Sequence, residues 1–109
     1  MAMQLYHSTD CRGVSEVCPD KNRMRKIIET LEHSEYDADH PDIALINDTC
    51  GWSISLYPSG IATMENLDAD DANPLYMKNI SRSKAFDLWC RLAEGRIEAL
   101  LQLGWQKRT

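Results

Sequence analysis

The chain has 109 residues, 43% of them hydrophobic and 27% charged, with a net charge of −5. Those values describe one domain, residues 1–109, with one core, and exclude wholesale disorder and a second core. No window reaches the roughly 18 apolar residues of a membrane span, and the first residues, Met1 to Ser8, carry neither the basic start nor the apolar stretch of a secretion signal, so a cytoplasmic protein is expected.

In chain order, Gln4-Leu5-Tyr6-His7 reads as a short edge strand. Pro19 and Asp20 open a helix, the proline in its first turn and the aspartate near the positive end of the dipole. Met24, Ile27, Ile28 and Leu31 fall at i, i+3, i+4 and i+7, one apolar stripe, and the helix is expected to fade near His33-Ser34. Tyr36 to Pro41 is an acidic loop.

Residues 43–67 read as three short strands and two tight turns. Gly51 provides a positive φ in the first turn. In the second, Pro58 and Ser59 suit the centres of a type I turn and Gly60 the left-handed residue after them. This loop pairs Tyr57 with Ile61, Leu56 with Ala62, Ile54 with Met64 and Trp52 with Asn66. Trp52, Ile54, Leu56, Ala62 and Met64 then share a core face, and Ser53, Ser55, Tyr57, Ile61, Thr63 and Glu65 the opposite one.

After an acidic loop from Asp68 to Pro74, Leu75-Tyr76-Met77 either forms a fourth strand or crosses the sheet. Ser81 or Ser83 caps the next helix; Phe86, Trp89, Ala93, Ile97 and Leu100 follow a 3–4 spacing, so Phe86 and Trp89 are expected to pack on the sheet's apolar face. Gly95 breaks it, Arg96 to Leu103 forms a shorter helix, Gly104 stops that, and Trp105 folds back onto the core. The expected fold is α+β: a two-layer domain with a three- to four-stranded antiparallel meander packed on N- and C-terminal helices. The strand ending at Asp48 is an exposed edge through which a homodimer could form.

The charges are segregated. Residues 29–42 hold six carboxylates and 65–73 four more, with no Lys or Arg in either window; the remainder of the chain is net +5. This disfavours nucleic acid as a partner and suits a basic protein surface. Lys21, Arg23, Arg25 and Lys26 form a basic helix face, but no aromatics are interleaved with them.

No catalytic signature is present. His7, His33 and His40 with Cys11 and the acids Glu35, Asp37, Asp39 and Asp42 are ligand-type residues, but their spacing fits no HExxH pair, EF-hand loop or Cys-x-x-Cys. Asp68, Asp70 and Asp71 lack the glycine and distal glutamate of a calcium loop. Cys11, Cys18, Cys50 and Cys90 read as reduced thiols; Cys18, before Pro19 at a helix start, is the one a helix dipole could activate, though a structural thiol is the favoured reading. Neither a metal nor a cofactor is expected.

Gly51-Trp52, Pro58-Ser59-Gly60, Glu65-Asn66-Leu67, Met77, Leu88-Trp89, Leu92-Ala93-Glu94-Gly95 and Trp105 together resemble small bacterial α+β proteins of the toxin-immunity type. The resemblance spans residues 43–105 and consists of turn glycines and tryptophans, which describe a fold and name no catalytic residue. It implies a non-enzymatic, cytoplasmic protein that neutralises a toxin by occluding it. The expected partner surface is Tyr57, Glu65, Asp68, Asp70 and Asp71, meeting basic residues of the toxin. Two alternatives stand beside it: an inhibitor or adaptor of a nucleic-acid enzyme acting through the acidic surface, and a small metal-dependent enzyme using His7, His33 or His40.

Overall fold

A computed structural model describes residues 5–10, 14–30, 42–67 and 75–107. The order of elements is β1 (Tyr6–Thr9), β2 (Ser15–Val17), α1 (Lys21–Glu29), β3 (Ile43–Asn47), β4 (Trp52–Leu56), β5 (Ala62–Asn66), β6 (Leu75–Met77), α2 (Arg82–Ala93), α3 (Ile97–Leu101) and β7 (Gln106–Lys107). The strands make one antiparallel sheet in the order β2-β1-β3-β4-β5-β6-β7. The fold is therefore α+β, with the helices on one face.

The expected meander is present, but it is the middle of a larger sheet. β1 is an interior strand: it pairs with β2 on one side and with β3 on the other, Tyr6 opposite Asn47 and Thr9 opposite Ala44. The strand ending before Asp48 is accordingly covered, and the edges are β2 and the two-residue β7. Alternation could not expose this, because Ser8 points into the core (1% exposed) where a hydrophobic residue is expected. Asp10 closes the β1–β2 hairpin, its side chain accepting from the Val14 N–H at 2.9 Å and its own N–H donating to the Val14 carbonyl at 3.0 Å.

Asp20 is the N-cap of α1, accepting from the Arg23 N–H at 2.8 Å. Pro19 thus lies before the helix instead of in its first turn; its carbonyl accepts from the Tyr6 hydroxyl at 3.0 Å. Met24, Ile27 and Ile28 are buried as the stripe requires; Leu31 and the expected fading of the helix near 33–34 lie outside the described residues.

The second turn forms as its chemistry dictates. Gly60 has φ +86, its N–H donates to the Tyr57 carbonyl at 3.1 Å, and the Tyr57 N–H donates to Ile61 at 2.9 Å. Trp52 then opposes Asn66, Ile54 Met64 and Leu56 Ala62. Ile43, Leu45, Ile54, Leu56, Ala62 and Met64 meet Met24, Ile27, Ile28, Leu88, Trp89, Leu92 and Leu100 in one core, with Trp52 partly buried against it.

Ser81 caps α2 by accepting from the Lys84 N–H at 3.0 Å. Gly95, at φ +74, ends it in a Schellman arrangement: Gly95 N–H donates to Leu92 at 3.0 Å and Arg96 N–H to Arg91 at 3.0 Å. The helix after the break is shorter than its sequence pattern, Ile97–Leu101. Trp105 does fold back, its indole N–H donating to the Leu100 carbonyl at 2.7 Å.

Candidate functional site

The three described helices lie on the side of Leu45 and Ile54, and no described element covers the other side of the sheet. Strand pairing lines residues up across this open face. One row runs Ser15, Thr9, Ala44, Ser55, Thr63, Tyr76, Gln106, one residue from each of the seven strands. At the usual strand spacing this spans about 29 Å. None of the seven is charged, in a chain that is 27% charged. A parallel row runs Val17, His7, Ile46, Ser53, Glu65.

The face is flat at its centre because Ala44, Ser53, Ser55 and Thr63 are short. Ser53 is only 4% exposed, set between the larger Ile46 and Glu65 of the neighbouring strands. Its borders are bulkier: Val17 is 78% exposed at one edge, and Tyr76 stands near the other with the Lys78 ammonium 5.7 Å from its ring centroid. Burying such a face costs little, since no described ionic group in its long row must shed water.

Of the residues expected to meet a partner, Glu65 lies on this face opposite Ser53. Tyr57 is half-buried one residue beyond β4, at the end of the sheet. Asp68, Asp70 and Asp71 lie outside the described residues. Thr9, Ala44 and Tyr76 join the face unannounced by the sequence. Their strands are four, five and three residues long, too short for alternation to declare a face.

His7 Nδ1 sits 2.8 Å from Asp48 Oδ2, a pair at the end of the sheet. Among the described residues no group of three or more His, Cys, Asp or Glu converges as a metal site. Cys11, His33, His40, Glu35, Asp37 and Asp39 lie outside the described residues.

The thiols are separated in character. Cys18 is exposed, in the left-handed region at φ 47 just after β2. Cys90 is half-buried in α2, and burial pushes its thiol above the ordinary value, with the Glu94 and Asp87 carboxylates adding to the shift and Lys21 and Arg25 opposing it. That environment disfavours a thiolate nucleophile. Burial likewise raises Tyr6, helped by Cys18 and Asp20. Among the described residues, no helix is long and apolar enough to cross a membrane.

What this arrangement can do is bind: it offers a broad, uncharged, short-residue plane with a carboxylate at one side. Compared with known protein families, with characterised proteins and with solved structures, the chain matches none.

Proposed function

We propose that this is a non-enzymatic protein-binding protein, an immunity protein that neutralises a bacterial toxin by lying across it. The observation that carries the reading is the open face, where seven strands contribute a continuous uncharged row. The interior of a protein–protein interface is depleted of charge while its rim is polar. Thr9, Ala44, Ser55 and Thr63 form such a centre, and Tyr76, Glu65 and Tyr57 its border. Asp68, Asp70 and Asp71 follow Glu65 in the chain and supply the charge that steers a basic partner.

The test is to recover a recurrent partner with tagged protein from the native host and measure its binding to Ser55→Arg and Thr63→Arg. Both variants should keep the wild-type melting temperature and lose at least about a hundredfold in affinity, the cost of a buried unpaired charge. Association should slow as salt rises. Binding that survives both substitutions, or the lack of any recurrent partner, would overturn the proposal.

A further inference from the structure

Where β6 and β7 meet the first turn of α2, a cleft of about 350 Å³ opens between Met77, Lys78, Ile80, Lys84, Leu103, Gly104 and Gln106. Among the described residues its lining includes two lysines and no acidic residue. Lys84 belongs to the first turn of α2, which contains no acidic residue. Its charge therefore adds to the positive end of the helix dipole without local compensation. Lys78 reaches the rim, where the Tyr76 ring holds its ammonium. Met77, Ile80 and Leu103 supply apolar walls, and the mouth at Gly104 is open, with nothing within 4 Å of a Cβ built there.

We propose that this cleft binds an organic monocarboxylate carried on an apolar body. The carboxylate sits between Lys78 and Lys84, and the hydrocarbon lies on Met77, Ile80 and Leu103. A bound anion relieves the repulsion between two like charges on one concave surface. An inorganic anion would leave the apolar walls wet, and a neutral hydrocarbon would desolvate the lysines without a partner. Lysines, as compact point charges, suit a single carboxylate without the bidentate fork that arginine would impose. The cleft meets the open face at Gln106 and at the Tyr76–Lys78 contact, but Ser55 and Thr63, two strands and one strand away from β6, do not line it, so their variants test the partner-binding reading separately.

The carboxylate could belong to a free organic acid or to the C-terminal residue of another chain, and titrations followed by backbone amide chemical shifts separate the two. Octanoate should bind with a dissociation constant on the order of 1 mM, as expected for ten non-hydrogen atoms, shifting signals of residues 77–84 and 103–106. Octanamide should not bind. An acetylated tripeptide ending in leucine with a free carboxylate, if tighter than octanoate and abolished by C-terminal amidation, assigns the cleft to a chain terminus; octanoate the tighter assigns it to a free acid. Lys78→Gln with Lys84→Gln should weaken binding about tenfold, and Arg91→Gln, in the last turn of α2, should leave it unchanged. Failure of both acids to bind, equal binding of the amides, or indifference to the lysine substitutions would overturn the proposal.

Discussion

At the scale of single residues, Asn47 ties two elements together although no motif marks it in the chain. It is fully buried; its Nδ2 donates to the Leu92 carbonyl at 2.8 Å, and its Oδ1 accepts from Thr49 N–H at 2.9 Å and Cys50 N–H at 3.3 Å. One side chain thus forms the β3–β4 turn and fastens it to the end of α2. Asn47→Ala should cost about 3 kcal/mol, because it strands buried backbone groups as well as losing the bonds; urea denaturation measures this. Cys90 makes a different prediction. Its folded-state pKa lies above the ordinary 9.0, so the folded chain keeps that proton after the unfolded chain has lost it. The stabilisation is intact below about pH 9 and falls as pH rises through the folded value. Tyr6, raised from 10.0, adds a loss of the same sign at higher pH. Cys90→Ala should flatten the alkaline fall in melting temperature above about pH 9; an unchanged slope would contradict the assignment.

At the scale of elements, local chemistry and long-range pairing divided the work. The β4–β5 hairpin was legible because Pro58, Ser59 and Gly60 specify their loop, and a loop of fixed length sets the register of both strands. The positive φ of Gly60 is the one backbone requirement there: an added Cβ would meet its nearest neighbour at an ordinary 3.7 Å. Gly60→Ala should therefore cost only the strain of the left-handed conformation, about 1–2 kcal/mol, and calorimetry should show it without loss of the sheet. The cap of α2 and the glycine break at Gly95 were readable for the same reason, since each is satisfied within six residues of chain, whereas at α1 the proline expected in the first turn precedes Asp20, the residue that caps it. The β1–β2 hairpin was not. Its strands are four and three residues long, its inward position is a serine, and its place beside β3 depends on a partner more than thirty residues away.

At the scale of the whole molecule, the crossover through α1 puts β1 between β2 and β3, and this makes the N-terminal hairpin structural. A chain beginning at Pro19 would uncover the β3 edge and the core beneath Tyr6 and Ser8. It should lose cooperative thermal unfolding and aggregate, as gel filtration and circular dichroism would report. A monomer that melts like the full chain would return β1 to the peripheral role suggested by its composition. The same topology builds the open face. Only when β1, β3, β4, β5 and β6 are in register do Thr9, Ala44, Ser55, Thr63 and Tyr76 form one row.

The amino-acid sequence by itself determined the α+β class, the apolar stripes, the cap of α2, and the turn that orients β4 and β5, because each follows from residues close together in the chain. Of the expected partner surface it placed Glu65 on the helix-free side. Only the tertiary structure decided the strand order, the interior position of β1, the anchoring of Asn47 and the lysine-flanked cleft. Those depend on which distant backbone edges find each other, and pairing across a sheet is settled by the burial of the whole core, which leaves no local mark in the sequence.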